Sequence, residues 1–427
     1  MTDFMLCKHF HQDVVNGMGA MADTMKALLY DQAPELFALL DFDRDEIFLE
    51  PLLFAYFNHP NREQCATLPQ LLLGYLDGAA RPVSIPVISA RNGVIYLPQI
   101  GYFRTSLPNA SFDLRYDKGA FRLEHDGKNV AYTFEERLLV AGGQLEVYRY
   151  NHPLFAPYYV PYHRWIKDLP PVAVEVESAV SCHLAYLERA LAILKHYCPA
   201  VYDEILVTNR SITLFHNPAV TCFATLQVHG AIFLTTIPDN DEVFFVEELI
   251  HQCSHNTFSA ILFDKASYFK IDVEHEFMSE HLHKPSETRT LYSAIHGLFT
   301  VVKRYEVFDV LYHEDIFQGR QKHEFLGRIG DIKKRLHTGL DDLNFAQVYT
   351  PKGFEMFHLL RQVGDEKAKR LQAVDGVFDF STQPAEFSYA KFAELNPWPR
   401  FRAIEGRFPP NAGHTTPTRE SLTAIRA

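Results

Sequence analysis

The sequence predicts an α+β protein: N-terminal helices and a β-meander, then a mainly helical, metal-binding C-terminal part. Three observations predict it. Apolar residues recur at helical spacing over residues 1 to about 80. Short alternating runs separated by glycine turns fill Arg81 to Tyr150, and a histidine pair four residues apart sits in a helical stretch beyond residue 240. Helical spacing gathers residues i, i+3 and i+4 on one face, whereas alternation gathers i and i+2.

Taken in order, AMADTMKALLYDQAPELFALLDF and LPQLLLGYLDGAA carry the helical pattern of a region spanning 1–80. VSIPVISA, GVIYLP, SFDLRY, AFRLEH and QLEVYRY then read as strands. They are divided by Asn92-Gly93, Lys118-Gly119, Asp126-Gly127 and Gly142-Gly143, pairs that favour tight hairpin turns. His152 to Pro171, rich in proline and aromatics, reads as a connection that closes a region spanning 81–171. A helix over Val172 to Tyr197 is stopped by Cys198-Pro199, and Glu204 to Phe215 and Thr225 to Thr236 read as strands. The turn Pro238-Asp239-Asn240-Asp241 leads into the histidine-bearing helix, and Glu324 to Leu371 is helical again, so that 172–372 forms the metal-binding region. From 373 to 427 the chain lacks periodicity. Its aromatics predict packing as far as about Phe408, with disorder beyond.

With 427 residues and 47% hydrophobic content, the chain is long enough for a sizeable core. A formal charge of −12 disfavours nucleic acid as a partner. No run of 18 apolar residues and no basic-then-apolar start is present, which predicts a cytoplasmic protein with no membrane partner. The six cysteines show no CxxC pairing, against a zinc ribbon or a disulfide scaffold.

The chemistry concentrates in VEELIHQCSHNTFSAILFD, Val246 to Asp264. Helical spacing turns His251 and His255 toward one point, where both imidazoles can hold one metal ion. Gln252 stands where a zinc protease carries its glutamate base, so hydrolysis is disfavoured. Cys253, inside the motif, reads as a small packed hydrophobe. In RTLYSAIHGLFTVVKRY, His296 lies on an apolar helical face, and Gly297 beside it admits a close neighbour. Arg289, seven residues before His296, is placed two helical turns away on about the same face. Glu274 and Glu276, 19 and 21 residues after His255, compete with His296 as third ligand, because two histidines and one carboxylate are a common set for non-haem iron.

The blocks GAIFLTT, ELIHQCSHNTFSAILFD, RTLYSAIHGLF and YTPKGFEMFHLL, in this order, resemble the HExxH-motif domain proteins of peptide natural-product gene clusters. The resemblance spans roughly Ala224 to Leu371. That family is understood as iron- and 2-oxoglutarate-dependent peptide β-hydroxylases acting on ribosomally made precursor peptides. The resemblance implies Fe(II) on His251, His255 and His296, 2-oxoglutarate as cosubstrate with its distal carboxylate on Arg289, and O2 as oxidant. The implied substrate is a peptide or amino-acid side chain with an unactivated C–H bond. The departure from the family is Gln252, which reads as a hydrogen-bonding neighbour of the metal. A catalytically silent homologue that binds a peptide or partner, and a zinc hydrolase drawing on Glu247 or Glu248, remain as rivals.

Overall fold

The structure is a computed structural model that describes residues 4–76, 84–117, 120–161, 169–384 and 386–408. The fold is α+β. Where the sequence suggests four consecutive regions, the chain forms two compact units, each assembled from separate stretches. One comprises Val15–Leu184 and Thr208–Pro238, the other Met1–Val14, Ala185–Val207 and Asp239–Ala427.

The first helices are α1 (Met5–Gln32), α2 (Pro34–Phe37), α3 (Asp45–Phe48), α4 (Pro51–Asn58) and α5 (Leu68–Leu72). Among the described residues nine short strands follow: β1 (Ser84–Ile88), β2 (Val94–Leu97), β3 (Gly101–Arg104), β4 (Ser111–Asp117), β5 (Ala120–His125), β6 (Lys128–Val130), β7 (Thr133–Glu135), β8 (Leu138–Val140) and β9 (Leu145–Val147). After them come α6 (Glu177–Tyr197), α7 (Pro199–Thr208), β10 (Ser211–Phe215) and β11 (Ala231–Thr235).

The expected meander is only partly one sheet. β4, β5 and β6 do follow one another antiparallel, with Asp126 and Gly127 both at positive φ in the last hairpin turn. β1 joins them beside β4, while β2, β3 and β7 make a second sheet and β8 and β9 join a third. Burial explains the division: β1 alternates exposed and buried residues, whereas all four residues of β2 are buried and need cover on both faces. In the third sheet β10 runs parallel to β9 and β11. Its apolar run SITLF is buried throughout, the pattern of a central parallel strand.

Two expected strands are shorter than the sequence reading. Glu204 to Thr208 is the end of α7, whose Pro199 is pre-set for a first helical turn. Leu226–Val228 is a single tight turn, and Gly230 at φ +85 separates it from β11. His152 to Pro171 begins with a turn of 3-10 helix at Pro153–Tyr158, and residues 162–168 of it lie outside the described residues.

The other unit is built by α8 (Glu242–Ile261), α9 (Met278–Leu282), α10 (Leu291–His313), α11 (Arg320–Asp342), α12 (Pro351–Arg370), α13 (Tyr389–Leu395) and α14 (Trp398–Ile404). α10 lies among α8, α11 and α12, so even its charged residues Lys303, Arg304, Glu306 and Asp309 are buried. A charge in such a place must be paired. Asp309 accordingly meets Arg370 at 2.7 Å and Lys367 at 3.3 Å from α12. The expected helix over Glu324 to Leu371 is two helices, the second restarted by Thr350, whose side chain caps Gly353 N–H, and by Pro351 at its first turn. The supposedly aperiodic tail holds α13 and α14. They close on the buried His323 ring, with Phe392 at 4.8 Å and Phe401 at 4.6 Å between ring centroids. The tail beyond Phe408, expected to be disordered, lies outside the described residues.

Candidate metal centre

Asp241 opens α8 by accepting a hydrogen bond from Val243 N–H, and the helix then runs unbroken through both motif histidines. One turn apart, His251 and His255 have ring centroids 5.0 Å apart. Thr290 caps α10 through Ser293 N–H, which sets His296 in the second turn of that helix. Its ring centroid lies 4.7 Å from that of His255. Two helices thus bring three half-buried imidazoles into a continuous row.

Burial drives His255 well below the ordinary histidine range and His296 down to about 4. Both are neutral at physiological pH and each keeps one lone pair, as a metal ligand must. His296 Nε2 lies 3.1 Å from the His255 carbonyl oxygen. A carbonyl only accepts, so Nε2 carries the proton and Nδ1 the lone pair. Phe258 and Tyr292 hold the His296 ring from two sides, at 5.1 and 5.2 Å. No atom stands within 4 Å of where a Cβ on Gly297 would project. The close backbone approach expected there is absent, and open space lies beside His296.

Gln252 is buried, and its amide nitrogen lies 2.9 Å from Glu248 Oε2 and 3.2 Å from His251 Nδ1. Glu248 Oε2 is also 3.6 Å from His251 Nδ1. Burial alone would raise the Glu248 carboxyl, but hydrogen bonds and charge from His251, together with the Gln252 amide, hold it below the usual carboxylate range. A carboxylate near Nδ1 favours a proton on that nitrogen and leaves the lone pair on the far one, the arrangement common behind metal-binding histidines, although the Gln252 amide is the nearer neighbour of Nδ1. Glu247 is engaged elsewhere. It joins Arg304 at 2.9 Å and Arg328 at 2.5 Å, deep between helices, and so held it is no general base.

Arg289 does not share a helical face with His296, because Thr290 caps α10 and the arginine falls in the irregular segment before it. Its guanidinium forks onto Glu287, Nε to Oε1 at 2.9 Å and a terminal nitrogen to Oε2 at 2.6 Å, with 49% of the side chain exposed. Glu274, exposed, pairs with Lys265 at 3.4 Å, and Glu276, half-buried, with His281 at 3.3 Å. Cys253 is buried, and burial raises its thiol strongly. Sequence reasoning missed Glu386 altogether. This carboxylate of the C-terminal segment lies within electrostatic reach of His251 and Glu248. Its neighbour Phe387 is set 4.8 Å from the Arg328 guanidinium, and no periodicity in the tail announces either contact. Among the described residues, no group of three or more His, Cys, Asp or Glu side chains already converges as a metal site.

No protein-family model matches this chain, and no curated protein matches it at a significant level.

Proposed function

We propose that this protein is a non-haem iron, 2-oxoglutarate-dependent oxygenase that hydroxylates an unactivated C–H bond, at a β-carbon, of a peptide or amino-acid side chain in natural-product biosynthesis. The observation that carries the reading is the row of three half-buried imidazoles, His251, His255 and His296, drawn from two helices. Neutral imidazoles suit Fe(II) as donors. His251 and His255 stand at ligand spacing, and His296 joins them once its ring turns its lone pair toward theirs. Bound iron with 2-oxoglutarate and O2 supplies the oxidising power for C–H hydroxylation.

The protein's own part is positional. Glu248 orients His251 directly and also holds the Gln252 amide, so glutamine at the motif's second position keeps a carboxylate behind the first ligand without supplying a hydrolytic base. The space beside Gly297 leaves room for a ligand next to His296. Arg289 offers a guanidinium to the distal carboxylate of 2-oxoglutarate, and its pair with Glu287 must open to do so. The location that goes with this reading is the cytoplasm. Among the described residues no helix is long and apolar enough to cross a membrane.

Anaerobic loading with Fe(II), followed by metal analysis, tests the reading. One iron per chain is expected in the wild type, with loss in His251→Ala and His255→Ala. Full iron retention in His296→Ala would transfer the third position to a carboxylate. A second reading, a metal-free protein that binds a peptide or partner, is favoured by the spread of the donors, which do not yet converge among the described residues. Failure of the wild type to take up iron or zinc would establish that alternative.

A further inference from the structure

The first turns of α1 bring a thiol against the middle of α10. Cys7 Sγ lies 2.9 Å from Lys303 Nζ. Lys303 is fully buried and also meets Glu204 Oε1 at 2.7 Å. Glu306, nearly one turn further along α10, is 1% exposed and accepts Leu6 N–H at 3.4 Å on one oxygen. Its other oxygen, Oε2, has no hydrogen-bond partner. Four reactive groups therefore share one packed site, and one of them holds an unused acceptor where such atoms are costly.

A simple ammonium–carboxylate pair accounts for Lys303 and Glu204. It does not account for a thiol on the same nitrogen or for the orphaned oxygen of Glu306. We propose that Cys7 and Lys303 form a covalent modification site, in which dioxygen inserts one oxygen atom between Sγ and Nζ. An S–O–N bridge spans slightly less than the separation already present, so the backbone has little distance to travel.

The step balances as thiol, ammonium and dioxygen giving the bridge, one water and one proton. One S–H bond, two N–H bonds and the O–O bond break. An S–O bond and an O–N bond form, together with the two O–H bonds of water. Sulfur and nitrogen each give up an electron pair, and dioxygen accepts both pairs. The released proton goes to Glu306 Oε2, whose carboxyl is raised by burial to about 7 and so accepts it near neutral pH. Burial raises the Cys7 thiol strongly, which suppresses the thiolate chemistry that alkylating agents and disulfides need. Dioxygen, small and apolar, enters packed interiors that those reagents do not. The bridge fastens the start of α1 to α10, the helix that carries His296 two turns before Lys303.

Mass spectrometry of the wild-type chain decides the matter, so no variant has to fold. Air-exposed protein should be about 14 Da heavier than protein prepared anaerobically with dithiothreitol, the mass of one oxygen gained less two hydrogens lost. Digestion should recover the Cys7 and Lys303 peptides joined, and dithiothreitol should release them. Complete alkylation of Cys7 after denaturing the air-exposed protein would overturn the proposal. So would a Cys7–Cys198 disulfide, or oxygen on Cys7 with Lys303 free.

Discussion

Replacing Glu247 by glutamine tests the polar tie that sets α8 against α10. Glu247 and both its partners are almost fully buried, at 3% and 4% side-chain exposure. Arg328 keeps a second carboxylate, Glu324, at 2.7 Å, whereas the Arg304 charge relies on Glu247. Removing one partner of a buried pair costs about 3–5 kcal/mol, because the remaining charge is left without compensation. Glutamine keeps the volume and one acceptor, so the lower end, about 3 kcal/mol, applies. For a folding unit of this size each kcal/mol lowers the melting temperature by about 2–4 °C, giving a drop of roughly 6–12 °C. Calorimetry on wild type and Glu247→Gln measures it. Fe(II) affinity should fall as well, since the variant loosens the relation between the His251 and His255 helix and the His296 helix. A variant that melts within about 2 °C of wild type, less than a single kcal/mol would produce, would refute the claim that this pair organises the unit.

Glu146 gives a prediction in pH. Burial, opposed by hydrogen bonds from Tyr96 and Tyr102 and by Arg137, raises its carboxyl to about 7. The folded state therefore holds a proton that the unfolded chain releases near 4.5, and stability falls as pH rises from about 4.5 to 7 and then levels. Glu146→Gln should flatten that descent by about 3 kcal/mol in urea titrations on either side of this window, and parallel wild-type and variant profiles would contradict it. At Gly353 an added Cβ would stand 1.9 Å from the Tyr268 carbonyl oxygen. Gly353→Ala should thus cost about 1–3 kcal/mol or more, read as a lowered urea midpoint. Arg289→Ala should weaken 2-oxoglutarate binding to anaerobic Fe(II)-loaded protein without altering iron content, and Glu287→Ala should strengthen it. Unchanged dissociation constants in both variants would remove Arg289 from the site.

Local pattern made much of this fold readable. The cap at Asp241, the Asp126-Gly127 hairpin and the central helices follow from rules that act over a few residues. What escaped depends on partners distant in sequence. Three sheets instead of one meander result from which strands are buried on both faces, and α13 and α14 exist because Phe392 and Phe401 close on His323. Arg289 shows the limit of periodicity: seven residues of helical spacing mean nothing once a threonine caps the helix in between. Glu386 comes within electrostatic reach of His251 from a loop, and spacing carries no trace of it.

The same distinction bears on Gln252. By motif alone, glutamine for glutamate deletes the carboxylate next to the first histidine. The helix restores one from behind, because Glu248 is three residues before His251 and four before Gln252, the two spacings that share a helical face. Its oxygen reaches both side chains, at 3.6 and 2.9 Å. A glutamate at position 252 would instead bring two carboxylates together in a buried place, and one of them would have to take up a proton. Gln252 is therefore the neutral partner that lets Glu248 remain ionised beside His251. Gln252→Glu should leave Fe(II) binding measurable but make it newly dependent on pH, falling where the paired carboxylates share a proton. A pH profile identical to wild type would show that Glu248 and position 252 do not act on His251 together.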